Sequence, residues 1–117
     1  MGEIRSPSLA HRLAAYTAAL NRYDLDAVER MFTADAVYVS PGVGGELKGR
    51  PTIMAAFRAY FRQHTDQVNK DEDVRLMDEH TLQSRWHLKS AKSNRSGRQR
   101  ITFTAAGLIA RIEVEDD

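Results

Sequence analysis

Apolar side chains at Leu9, Leu13, Tyr16 and Leu20, with Thr17 on the same stripe, recur at the spacing of one helical face. Ser6 or Ser8 is placed to cap this helix and Pro7 suits its first turn, so the pattern predicts a helix from Leu9 that ends around Asn21 to Tyr23. Asp24 then opens a second helix with an inward stripe of Leu25, Val28, Met31 and Phe32, and the two form a hairpin. Ala36 to Ser40 is short and β-branched and stops at Pro41-Gly42, which reads as a strand entering a glycine-rich loop over 41–49. Gly49-Arg50-Pro51-Thr52 opens a third helix, with Ile53, Ala56, Phe57, Tyr60, Phe61 and His64 along one face.

Beyond Gln67 the period drops to two. Val74 and Leu76, then Leu82, Ser84, Trp86 and Leu88, alternate with polar or charged neighbours, as strands do. Lys89 to Gly97 reads as a hairpin tip, Gln99 to Thr104 as a strand, Ala105-Ala106-Gly107 as a tight turn, and Leu108 to Glu115 as the last strand. Helices first and a meander afterwards imply an α+β fold with the helices on one face of an antiparallel sheet. Parity puts Gln99, Ile101 and Phe103 on the inner side, with Leu108, Ala110, Ile112 and Val114. Met77, Arg85, His87 and Ile109 fall on the outer side, which a second copy of the chain would cover as a homodimer.

At 117 residues the chain is one domain, 1–117, and 42% hydrophobic residues are enough to build a core. A formal charge of +1 gives no field to hold nucleic acid. The basic run Lys89, Lys92, Arg95, Arg98 and Arg100 lacks interleaved aromatics, which argues against single-strand nucleic acid; it reads as a solvated loop, with an anion or acidic-partner contact, or neutralisation within a dimer by the acidic clusters at 66–79 and 113–117, as the alternatives. With no cysteine there is no disulfide, thiolate metal site or cysteine nucleophile, which fits a reducing cytoplasm. No apolar run approaches the ~20 residues of a membrane span, and Met1 to Ser8 has no signal-peptide core. No metal site is expected, since no His and carboxylate pair stands at zinc-ligand spacing such as H-E-x-x-H, and any reaction is expected to run without an organic cofactor.

The segment Ala15 to Gly42, AYTAALNRYDLDAVERMFTADAVYVSPG, resembles the opening of the nuclear-transport-factor-two-like superfamily in its SnoaL-like and ketosteroid-isomerase-like branch. The resemblance rests on a Tyr-containing helix running into Asn21, on Asp24-Leu25-Asp26, on Phe32 followed by Asp35-Ala36-Val37, and on Pro41-Gly42. Gly49-Arg50-Pro51 with Ile53 and Phe57, and Ala106-Gly107-Leu108-Ile109, extend it. It implies a cystatin-like cone, a strongly curved sheet wrapped around the N-terminal helices, with an apolar pocket between them and commonly a homodimer.

By the same resemblance Tyr16 occupies the place of the ketosteroid isomerase oxyanion-hole tyrosine, whereas the places of the two aspartates fall on Ser40 and Gln99. A neutral serine does not abstract a proton from carbon, so true ketosteroid isomerase activity is not expected. Epoxide hydrolysis, also hosted by the superfamily, is disfavoured as well, because Arg85 and His87 lack an accompanying Asp. The pocket lining implied is Tyr16, Phe32, Tyr38, Ser40, Phe57, Phe61, Trp86, Gln99, Ile101 and Phe103. The ligand is a small, largely apolar molecule. Tyr16 would donate to a developing oxyanion with Gln99 assisting, and only His64 or a water held by Ser40 is available as base. The alternative is a non-catalytic dimerisation or carrier module whose interior is filled by its own aromatic side chains.

Overall fold

The computed structural model describes residues 8–117. Helix α1, Leu9–Asn21, starts where Ser8 Oγ accepts from the His11 amide, and α2, Leu25–Met31, where the Asp24 side chain accepts from the Ala27 amide. Strand β1, Phe32–Ser40, begins four residues earlier than the alternation suggested, so Phe32 closes the helix rather than extending its stripe. A 3-10 turn at Pro41–Val43 and a short strand β2, Gly45–Lys48, occupy the segment expected to be loop. Helix α3, Arg50–Gln63, has Pro51 in its first turn. The strands β3, Val68–Leu76, β4, Thr81–Lys89, β5, Asn94–Phe103, and β6, Ile109–Asp116, complete the chain.

The α+β architecture matches the expectation: three helices on a curved six-stranded sheet that does not close. The order is β2-β1-β6-β5-β4-β3, and every pairing is antiparallel except β1 with β6, which run parallel. That seam joins the helical half of the sequence to the meander. Helix α1 packs on β3 and β4, and α3 on β1. The solid core lies beneath them: Leu13, Ala19, Val28, Phe32, Ala36, Ile53, Met54, Leu82, Ile101, Phe103, Ile109 and Ile112 are buried.

Two bulges reset the side-chain parity that alternation alone would give. In β6, Phe103 pairs with Ile109 and Thr102 with Arg111, which leaves Ala110 as the extra residue. Ile109, expected on the outer face, is therefore buried, while Leu108, expected inside, is exposed. In β3 the register shifts between Glu72 and Arg75, around Asp73 with its φ of 51°. Counting back from Val74 and Leu76 would point 70 and 72 inward; the shift points Asn69 and Asp71 inward instead, opposite Leu88 and Trp86.

The basic and acidic runs meet within the chain, across neighbouring strands. Arg95 pairs with Asp116 at 2.8 Å and Arg98 with Glu115 at 3.9 Å on β5 and β6, while Arg85 of β4 reaches Asp117. No helix among the described residues is long and apolar enough to cross a membrane.

Candidate active site

Between α1, α3 and the concave face of the sheet lies a cavity of about 180 Å³, open at one side. Each element contributes through its inward face. Helix α1 supplies Tyr16, Thr17 and Leu20; α3 supplies Ala56, Phe57, Tyr60 and Phe61; β1 supplies Tyr38 and Ser40. The meander adds Asn69 and Asp71 from β3, Trp86 and Leu88 from β4, Gln99 from β5 and Val114 from β6. Lys70, Arg95 and Asp116, with Gly42, Val43 and Gln67, complete the lining.

Seven residues expected in the lining are there: Tyr16, Tyr38, Ser40, Phe57, Phe61, Trp86 and Gln99. Three are not. Phe32 and Ile101 are wholly buried in the solid core, and Phe103 is 3% exposed and borders a second cleft on the far side of α1 instead. Phe32 meets Tyr16 edge to face at 6.1 Å and Phe57 at 6.2 Å, so it supports the cavity wall from behind.

Of the two candidates for the base, Ser40, which would act through a water it holds, lines the cavity and His64 does not. Ser40 Oγ accepts from the Gly42 amide at 3.1 Å and caps the 3-10 turn. His64 ends α3, stacks on Tyr60 at 4.0 Å and sets its Nδ1 2.9 Å from the Tyr60 carbonyl oxygen, outside the lining. His87 lies on the outer face near Glu72, whose carboxyl it holds below the usual range together with Lys70.

Of the two carboxylates in the lining, Asp116 is paired with Arg95, and Asp71, which the sequence pattern does not mark, is not paired with a cation among the described residues. It sat inside the charged run Asn69 to Asp73, where neither parity carries an apolar residue, and the bulge at Asp73 reversed the facing that Val74 and Leu76 implied. Three side chains from three elements hold it. Thr17 Oγ1 donates to Oδ2, Ser84 Oγ donates to Oδ1 at 3.1 Å, and Gln99 Nε2 donates to Oδ1 at 3.0 Å. Gln99 Nε2 also lies 3.2 Å from Ser84 Oγ. Gln99 thus does face inward, and its amide is committed to Asp71. Oδ1 accepts two hydrogen bonds and Oδ2 one, which leaves Oδ2 able to accept one more.

Tyr16 is 4% exposed and its phenol fronts the same cavity, with no hydrogen bond engaging the hydroxyl among the described residues. Burial raises its pKa well above the ordinary tyrosine value, and the nearby Tyr38 and the charge of Asp71 raise it further. Tyr38 is pushed up to about 12, chiefly by burial and then by Tyr60, against a hydrogen bond with Ser40 that works the other way. Both phenols are therefore neutral donors across the neutral range. In the folded protein they retain protons that the unfolded chain releases near pH 10. The contribution of Tyr38 to stability is complete below that pH and is lost as pH rises from about 10 to about 12, and that of Tyr16 is lost in the same direction. Phenolate absorbance during a base titration is expected to lag behind that of the unfolded protein, with loss of folded structure following in the same interval.

A neutral phenol and an unpaired carboxylate on the wall of an apolar cavity are the parts of proton-transfer chemistry: one group receives a proton from carbon and the other donates to the oxygen where charge gathers. Among the described residues no cluster of three or more His, Asp or Glu is arranged to hold a metal ion.

The model of the SnoaL-like domain family matches residues 13–116 of this chain. Solved structures share the fold. An uncharacterized cystatin-fold protein of Novosphingobium aromaticivorans is 17% identical over 94% of this chain and 99% of its own, with a TM-score of 0.81. An epoxide hydrolase/cyclase-like enzyme, SalBIII, with a role in pyran ring formation in the polyether salinomycin, is 17% identical over 93% of this chain and 90% of its own, with a TM-score of 0.81. A steroid delta-isomerase of Pseudomonas aeruginosa is 20% identical over 96% of this chain and 81% of its own, with a TM-score of 0.73. No match was found among curated protein sequences.

Proposed function

Since the chain belongs to the SnoaL-like domain family, in the nuclear-transport-factor-two-like superfamily, we propose that it is a cofactor-independent acid–base enzyme. It would act on a small, largely apolar carbonyl compound by isomerase- or cyclase-type proton transfer. One observation carries this reading: Asp71, held by Thr17, Ser84 and Gln99, shares a cavity with the unengaged phenol of Tyr16.

In this mechanism the substrate carbonyl lies against Tyr16. An Asp71 oxygen takes a proton from the neighbouring carbon, the C–H electron pair becomes the new C=C bond, and the carbonyl oxygen gains charge that the Tyr16 O–H holds. Returning the proton to another carbon isomerises the substrate; attack of the enolate carbon on a second carbonyl carbon of the same molecule forms a ring C–C bond and breaks that carbonyl's π bond, and the resulting alkoxide takes the proton from Asp71. Burial serves both roles, because in a water-poor site a hydrogen bond to developing charge is stronger than in water. The steroid isomerase and the epoxide hydrolase/cyclase-like enzyme among the structural relatives lend support to chemistry of this kind.

Tyr16→Phe tests the donor. It removes one oxygen from a residue whose ring stays in the core, so folding is expected to be retained while turnover falls ~100- to ~1,000-fold, the usual cost of one oxyanion donor. Solvent-deuterium exchange into a bound ketone, followed by proton NMR, measures it. An unchanged exchange rate would remove Tyr16 from the mechanism.

A further inference from the structure

We infer that the substrate is an uncharged carbonyl compound of about one six-membered ring, such as a cyclic enone, and that a fused polycycle is excluded from the site. The inference rests on the acid–base reading above for the reaction, and on the dimensions and charge of the cavity for the ligand.

Size sets the first limit on the ligand. A cavity of ~150 Å³ accommodates one benzene ring, and this one measures about 180 Å³. One ring with a carbonyl fills it; a second fused ring would have to stand outside the mouth. The walls have little freedom to retreat. On one side Phe57 and Phe61 lie nearly parallel with centroids 6.3 Å apart, and Tyr38 meets Phe57 edge-on at 5.1 Å. On the other, Trp86 Nε1 donates to the Arg98 carbonyl at 3.2 Å, and the Arg95 guanidinium sits 5.9 Å from the ring centre. The indole also lies against Gly97, where even a methyl group would come within 2.8 Å of Trp86 Cζ2.

Charge sets the second limit. The two cations of the lining, Lys70 and Arg95, are already paired, with Glu72 at 3.5 Å and Asp116 at 2.8 Å. An anionic substrate would face Asp71 with no unpaired cation of the lining to receive it. A cationic one would pair with Asp71 and occupy the electron pairs the base needs. A neutral carbonyl compound avoids both conflicts.

The test is a size series on the full chain in D₂O, using 2-cyclohexen-1-one, a two-ring octalone and androst-4-ene-3,17-dione as probes. Proton NMR follows deuterium incorporation beside the carbonyl, and ligand-induced thermal shift follows binding. In each exchange event a C–H bond breaks to Asp71, the enolate forms at Tyr16, and a deuteron from solvent is delivered to the same carbon. The expected result is catalysed exchange of cyclohexenone, at least tenfold lower kcat/KM for the octalone, and neither exchange nor binding of the steroid. Trp86→Ala is expected to narrow the cyclohexenone-to-octalone ratio at least tenfold. Cyclohex-1-ene carboxylate, of the same size but charged, is expected to bind at least tenfold more weakly than the enone.

Exchange of the octalone or steroid as fast as that of cyclohexenone would overturn the size inference and leave the acid–base reading standing. Preferential binding of cyclohexenone without exchange would sustain the ligand class and sink the acid–base reading. Failure of cyclohexenone to bind, or tighter binding of the carboxylate, would overturn the proposal.

Discussion

Asp71→Asn is expected to lower turnover by a factor of ~100 to ~10,000, the usual contribution of a positioned general base, equivalent to about 3 to 5 kcal/mol of transition-state stabilisation. The substitution keeps the shape of the side chain and removes its proton affinity. Its surroundings can adapt: the Thr17 and Ser84 hydroxyls rotate, and the Gln99 amide can present its oxygen instead of its nitrogen to the new amide. The measurement is deuterium exchange into 2-cyclohexen-1-one per mole of folded protein, with the unfolding midpoint recorded alongside. A purely structural role gives a different signature. If Asp71 only braces β3 against α1, β4 and β5, Asp71→Asn lowers the midpoint and leaves the exchange rate of the folded fraction intact.

Phe32→Ala is expected to cost ~3 to ~5 kcal/mol of folding stability, the range for truncating a fully buried aromatic ring. Phe32 is wholly buried between Tyr16 and Phe57, so the ring leaves a void enclosed on every side. Phe61 offers the control. It already borders the cavity, so part of the space its ring vacates joins a void that is there already, and Phe61→Ala falls at or below the low end of that range. Urea unfolding at constant m-value separates the two. If Phe32 instead faced a ligand, its truncation would weaken binding more than folding, and the solid core beneath the cavity would have to be redrawn.

Periodicity alone reached most of the architecture, because long amphipathic segments declare themselves. The three helices begin at recognisable caps, Ser8, Asp24 and the Gly49 to Pro51 corner, and Leu82 to Leu88 alternates as a strand with one buried face does. The resemblance around Tyr16 and Pro41-Gly42 supplied the curvature and the family, and the family match bears it out. What escaped has a common cause. Alternation fixes a facing only while the register runs unbroken, and each of the two bulges, at Ala110 and at Asp73, inverts it. The first hid Ile109 from the core. The second hid Asp71 from the site, and with it the partner that explains why Gln99, a polar residue at an inward position, is there at all.

Phe32, Ile101 and Phe103 show the complementary limit. Inward parity marks a residue as facing the helices, but does not distinguish the part of that face under solid packing from the part under the cavity. That division depends on where α1 and α3 diverge over the sheet, a tertiary fact with no local sequence signal. Ser40 does line the cavity, and its Oγ also accepts from the Gly42 amide of the turn that follows.

The most direct test of the account is a carbon-13 label at the Tyr16 ring carbon bearing the hydroxyl, observed by NMR while 2-cyclohexen-1-one is added. A neutral, unengaged phenol that takes up a carbonyl is expected to show one saturable shift, with the same apparent Kd as the thermal-shift titration and lost in a competing titration with an unlabelled one-ring ketone. A Tyr16 resonance that stays in place while the ligand demonstrably binds would contradict the claim that substrate enters this cavity and is held by that phenol.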